Sequence, residues 1–127
     1  MTFSAAVKTC FGKYADFSGR ARPSEYWWWA LFAVIVQFIP YFLFVALLVG
    51  NEGSRSMATV VGGVWLVIWL ALIIPSLAVF LRRLHDTGRS GWFWLMGLIP
   101  LVGPIILVLF LVGAGDPGRN KYGDPPV

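Results

Sequence analysis

WFWLMGLIPLVGPIILVLFLV, residues 92–112, is the stretch on which the fold turns. Its 21 uncharged residues reach the length that a helix needs to cross a bilayer core, ~20 residues. Yet Gly97, Pro100, Gly103 and Pro104 crowd its middle, and the two prolines remove backbone donors there. Read as one kinked span, the run carries the chain across a membrane. Read as a re-entrant hairpin, it returns the chain to the side it came from. Each hairpin arm has only about 8 to 10 residues, roughly 12–15 Å, and its turn leaves backbone groups unpaired in lipid. The expectation is therefore a single kinked span.

Working outward, two more uncharged runs precede it, residues 27–49 and 57–81, of 23 and 25 residues. The first holds fourteen Leu, Ile, Phe or Val side chains, which outweigh Gln37 and Pro40 on an insertion scale. It starts too late and runs too long for a cleavable signal, so it is expected to stay and direct insertion. The chain is 58% hydrophobic and 13% charged, against roughly 25% charge in an average soluble domain. A soluble domain of 127 residues cannot bury that much apolar surface.

Before the first run, Phe3, Val7, Cys10, Phe11 and Tyr14 recur at helical spacing with Lys8 and Lys13 off their face, which predicts an interfacial helix over 3–15. The fold class that follows is all-α: one polytopic membrane domain, with three transmembrane helices, this amphipathic N-terminal helix, and a polar Gly/Pro-rich tail over 113–127. Trp27 to Trp29 and Trp92 to Trp94 fall where an interfacial aromatic belt belongs.

Ten basic residues stand against six acidic ones, but they flank the apolar runs and form no continuous face. Anionic phospholipid headgroups are the expected counter-charge, and nucleic acid is not an expected partner. Four Lys or Arg precede the first run, one lies in the first connector, three in the second and two in the tail. Three spans divide them seven against three, with the N-terminus cytoplasmic and the tail outside. A re-entrant third run divides them nine against one. Cys10 stands alone, which rules out an internal disulfide and a multi-cysteine metal site.

The charges concentrate in two places. In FSGRARPSEYWWW, residues 17–29, Gly19 permits a turn, Pro23 suits a first helical turn and Glu25 complements a helix N-terminus. Arg20 and Arg22 are candidates to grip lipid phosphate. In RRLHDTGRSGW, residues 82–92, Arg82 and Arg83 close a helix, Gly88 allows a left-handed residue and Ser90 can cap the next helix. His85 and Asp86 together lack the ligand count of a zinc site. Glu25 and Asp86 are expected to pair with arginines of the opposite stretch, so the candidate polar clamp or anionic-lipid contact is Arg20, Arg22, Glu25, Arg82, Arg83, His85, Asp86 and Arg89. Gln37, Ala58 and Gly62 are the candidate helix-packing residues.

No common nucleotide-binding, zinc-protease or hydrolase signature occurs, and no Asp, Glu, Lys, Arg or His lies within the runs. The expectation is a protein without cofactor, metal or catalytic residues, not an enzyme.

Phe17, Gly19, Arg20 and Ser24-Glu25-Tyr26-Trp27, followed by RRLHDTGRSGW, Asn120 and Tyr122-Gly123, resemble the bacterial "domain of unknown function 805" family of small inner-membrane proteins. The chain departs from that pattern at Pro23, where a basic residue is frequent, and at Asp124, where the tail motif diverges. The resemblance implies a multi-pass protein of the bacterial inner membrane and no particular activity. An accessory, scaffolding or regulatory component, self-associating or docked on a larger membrane protein, is the expected role. The alternative is an oligomeric channel or transporter for small anions or other small solutes, lined by Gln37, Thr59 and Ser76, with Arg82, Arg83 and Arg89 at its mouth.

Overall fold

The computed structural model describes residues 1–126; Val127, the last residue of the expected tail, lies outside them. Four α-helices follow one another: α1 (Phe3–Gly12), α2 (Pro23–Leu48), α3 (Glu52–Asp86) and α4 (Val102–Val112), with a 3₁₀ helix (Gly91–Leu98) between α3 and α4. No strand occurs among the described residues.

Thr2 caps α1 by accepting the Ala5 N–H at 3.2 Å. Phe11 meets Trp29 and Phe32 at ring-centroid separations of 5.1 and 5.8 Å, while Phe3 meets Trp28 at 5.8 Å. Both ends of α1 therefore touch the same short stretch of α2, so α1 lies across α2. The expected helix over 3–15 ends at Gly12, because Lys13 leaves helical geometry.

Pro23 opens α2 and the Asn51 carboxamide caps α3, accepting the Ser54 N–H at 3.0 Å. The pairs along α2 and α3 run in opposite directions: Phe44 lies against Gly62, the Trp65 indole donates to Gln37 at 2.9 Å, and the Trp29 indole donates to Ser76 at 3.0 Å. The two form an antiparallel hairpin around Trp29, Leu72 and Val79, with Cys10 and Ala21 closing the same core. Ala58 is buried, and a Cβ on Gly62 would press on the Phe44 ring at 3.0 Å. Gln37, Ala58 and Gly62 thus serve contacts within one chain.

At 1.5 Å per residue α2 is about 39 Å long and α3 about 52 Å, and both are long and apolar enough to cross a membrane. Their outer faces stay apolar and open: Ile39 and Val67 are each 66% exposed. The helix expected over 57–81 runs on to Asp86, so Arg82, Arg83, His85 and Asp86 ride on its final turns and only 87–90 form the connector.

The third run departs from the expected kinked span. Its first arm is the 3₁₀ helix, its second is α4, and the chain reverses between them at Leu101 (φ 65°), where the Val102 N–H donates to the Pro100 carbonyl at 2.7 Å. This is a γ-turn with positive φ, a rare and strained reversal for a residue with a Cβ. The arms match in length, each about 16 Å, from eight residues at 2.0 Å and eleven at 1.5 Å. Phe93 packs on Phe110 at 6.0 Å, and Arg89 sits 3.8 Å above the same Phe110 ring, so the two ends of the run lie side by side.

The expectation against a hairpin rested on its short arms and on orphaned backbone groups at the turn. Pro100 and Pro104 remove two of them outright, and the N–H groups of Ile99, Val102 and Gly103 each find a carbonyl. Gly103 is needed because a Cβ there would overlap the Met96 carbonyl.

The hairpin therefore depends on Gly103 having no side chain. Gly103→Ala is expected to lower the thermal midpoint in detergent by about 5 °C or more, as overpacking against a backbone atom does. Gly63→Ala, at a position with open space around it, is expected to leave the midpoint unchanged or raise it. Equal midpoints for the two variants would contradict the reversal.

Candidate functional site

The linker between α1 and α2 is shaped by two local features. Asp16 accepts from the Ser18 N–H at 3.0 Å and the Ser18 hydroxyl at 2.7 Å, which holds its carboxyl below the usual range. Gly19 then takes a positive φ of 83°. Beyond it the chain extends along the end of α3, and the Ala21 N–H donates to the Arg82 carbonyl at 3.0 Å.

That path delivers Arg20 to the centre of a buried cluster. Its Nε donates to Asp86 Oδ1 at 2.9 Å; its Nη1 reaches the carbonyls of Gly118 (2.7 Å) and Gly123 (3.2 Å); its Nη2 reaches those of Asp116 (2.6 Å) and Asp86 (3.3 Å). All five guanidinium N–H groups have acceptors. Asp86 takes a second cation on its other oxygen, Arg83 Nη1 at 2.6 Å. Arg83 also donates from Nε to the Leu111 carbonyl at 3.0 Å and from Nη2 to that of Gly113, which ties the end of α4 to the end of α3.

A second pair lies alongside. Arg82 Nη1 donates to Glu25 Oε1 at 2.6 Å, with both side chains buried, while Arg82 Nε and Nη2 have no partner among the described residues. The Cys10 Sγ lies 3.9 Å from the same Glu25 oxygen. Burial first, and the Glu25 charge second, push the Cys10 thiol up to about 12. Three guanidinium groups against two carboxylates leave one net positive charge in the cluster, offset by backbone carbonyls.

The tail closes over this arrangement. The Asp116 N–H donates to the Asp86 carbonyl at 2.7 Å, and a Cβ on Gly115 would overlap the Asp86 carboxylate. Asn120 Nδ2 donates to the His85 carbonyl at 2.9 Å and to Asp116 at 2.8 Å, while its Oδ1 accepts the Tyr122 N–H at 2.9 Å. Tyr122 stacks on the His85 ring at 4.0 Å with 6° between planes, and His85 Nδ1 meets the Gly19 carbonyl at 3.1 Å.

Of the eight polar candidates, Arg20, Glu25, Arg82, Arg83, His85 and Asp86 converge. Arg22 and Arg89 stay at the margin, one donating to the Pro126 carbonyl at 3.3 Å and the other resting on Phe110. Arg20, Arg82 and Arg83 are at most 4% exposed, so their charge is directed inward and not at an outer phosphate. Sequence reasoning read 113–127 only as a polar Gly/Pro-rich tail and placed no site residue in it. The usable signal was Asn120, Tyr122 and Gly123, together with a Gly-rich 113–118 that can bring carbonyls close to a guanidinium.

The arrangement holds the linker, the end of α3, the end of α4 and the tail together. Both central carboxylates accept from arginine at 2–3% exposure. No group of three or more His, Cys, Asp or Glu side chains able to hold a metal occurs among the described residues.

A family model described as "Protein of unknown function (DUF805)" matches residues 14–124. That range takes in every member of the cluster except Cys10. Inner membrane protein YhaH of Escherichia coli (strain K12) is 38% identical over 113 residues, covering 89% of this chain and 88% of that protein. Inner membrane protein YhaI of the same strain is 39% identical over 114 residues, covering 89% and 87%. No solved structure matches the chain.

Removing one partner of a buried pair leaves a charge uncompensated, whereas removing both does not. Glu25→Met and Arg82→Met are each expected to destabilise the protein by about 3–5 kcal/mol, and the double variant by less than the worse single one. Unfolding by denaturing detergent, followed by circular dichroism, measures this. Additive losses would mean that the pair contributes no coupling.

Proposed function

The chain belongs to the DUF805 family, and on that premise we propose that it is a multi-pass protein of the bacterial inner membrane, acting as a non-catalytic accessory or scaffolding component. The observation that carries this reading is the inward direction of its central charged groups: both carboxylates accept from arginines, and Arg20 and Arg83 hold backbone carbonyls of the tail and hairpin. A protein that uses Arg20, Arg83 and Asp86 to bind its own tail and hairpin keeps those groups for shape. What it offers outward is apolar helix surface.

In this reading α2 and α3 cross the bilayer, and the 91–112 hairpin enters and leaves from the cytoplasmic side without crossing. Each hairpin arm, at about 16 Å, covers half of a hydrocarbon core of about 30 Å. Both termini are then cytoplasmic, and nine of the ten Lys and Arg residues lie on that side, with Arg55 alone opposite. The tail's contacts with Arg20 and His85 support this placement, because a tail on the far side could not make them.

The pore reading finds less support. Gln37 is engaged by Trp65, Ser76 by Trp29, Arg82 and Arg83 lie in buried pairs and Arg89 rests on Phe110, so of the six groups proposed to line a pore and its mouth only Thr59 stands exposed without such a contact among the described residues.

Cys10, buried with its thiol pushed up to about 12, stays silent to maleimides and allows single-cysteine mapping on the wild-type background. In intact cells a membrane-impermeant maleimide is expected to label Glu52→Cys and to label Lys121→Cys only after lysis. Labelling of Lys121→Cys from outside overturns the re-entrant topology.

The accessory role predicts a protein neighbour on the open α3 face. A photo-crosslinking residue at Val67 is expected to give one adduct of discrete mass with a larger membrane protein. Crosslinks to lipid alone would reject the scaffold reading.

A further inference from the structure

Outside the buried cluster, polar and aromatic groups also gather beside the end of α3. A cavity of about 290 Å³ opens between the α1–α2 linker, the end of α3 and the start of the 3₁₀ helix, bounded by Phe17, Leu81, His85, Ser90, Trp92 and Trp94. That is at the lower end of small-molecule sites, which run from about 300 to 1,000 Å³. No carboxylate, lysine or arginine lines it, and His85 is its one titratable side chain among the described residues.

The chemistry of His85 is set by its neighbours. The Gly19 carbonyl facing Nδ1 at 3.1 Å can only accept, so Nδ1 carries the proton. The ring is held in place by its stack on Tyr122. At pH 7.5, above the ordinary imidazole range, the neutral ring then presents Nε2 as a lone pair, and Nε2 has no partner among the described residues. The cavity thus combines an acceptor with three carbocyclic or indole rings, whose faces attract cations. An anionic headgroup finds no counter-charge inside: Arg82 and Arg83 are buried in their pairs and Arg89 is seated on Phe110.

We infer that this cavity receives the ammonium end of an ethanolamine-type phospholipid, which donates an N–H to His85 Nε2 and rests against Trp92 and Trp94. The occupant is a lipid and not a free amine because the cavity adjoins exposed apolar surface, Trp92 at 73% and Leu98 at 72% exposure, along which acyl chains can lie. The inference rests on the bilayer placement proposed above.

A choline headgroup separates the two components of recognition, since its trimethylammonium keeps the attraction to the rings but has no N–H to donate. The test reconstitutes the whole chain with equal amounts of phosphatidylethanolamine, phosphatidylcholine and phosphatidylglycerol, and counts retained lipids by native mass spectrometry. Wild type is expected to retain phosphatidylethanolamine over phosphatidylcholine by on the order of tenfold, the effect of one charge-assisted hydrogen bond. His85→Phe keeps a ring against Tyr122, removes the acceptor, and is expected to bring that ratio to about one. Trp92→Leu, at an exposed position away from the cluster, is expected to reduce retention of both lipids, so the site stays testable if His85→Phe fails to fold.

Equal retention of the two lipids by wild type overturns the proposal, as does preference for phosphatidylglycerol. Competition by soluble phosphoethanolamine overturns the lipid source. A chain that retains no lipid and needs no detergent overturns the bilayer placement together with this site, which distinguishes the two failures.

Discussion

The ion pair between Arg20 and Asp86, at 2.9 Å and nearly without exposure on either side, is the constraint on which the rest of the fold depends. Burying two charges is unfavourable unless their remaining donors and acceptors are satisfied. Here they are, and the groups that satisfy them come from four separate stretches: the linker, the end of α3, the end of the hairpin through Arg83, and the tail. The need to complete one buried hydrogen-bond set thus brings distant parts of the chain to one point. Arg82 is the exception, since two of its N–H groups lack partners, and Glu25 alone compensates its charge.

The hairpin over 91–112 follows from the same constraint. Leu111 and Gly113 can offer their carbonyls to Arg83 only if the chain returns to the level at which it left α3. The Gly and Pro residues at the middle of the run make this possible for a reason separate from kinking: the prolines remove donors that lipid would leave unpaired, and Gly103 lets α4 begin against the Met96 carbonyl. The strained φ at Leu101 is a local cost, of order 1 kcal/mol or more, that the surrounding contacts hold in place.

The division of labour that results is unusual for so apolar a chain. Arg20, Glu25, Arg82, Arg83 and Asp86 face inward, while much of the apolar surface of α2 and α3 faces outward. The cavity beside His85 lies just outside the buried cluster. It shares His85 with the tail stack, so the tail both closes the cluster and holds the ring that lines the cavity.

Much of this was legible in the residues alone. Long uncharged runs 27–49 and 57–81 can only be apolar helices at this composition. Gly19, Pro23, Gly88 and Ser90 announce their turns and caps by backbone chemistry, and the signs of Glu25, Asp86 and the arginines suggest pairing. Those inferences are local or depend only on sums over a segment. Which arginine meets which carboxylate, that the tail supplies carbonyls to Arg20, and that residues 92–112 reverse at Leu101 were decided only in three dimensions. Each depends on a close approach between positions far apart in the chain, such as Arg20 and Gly118, and a linear pattern carries no distance between them.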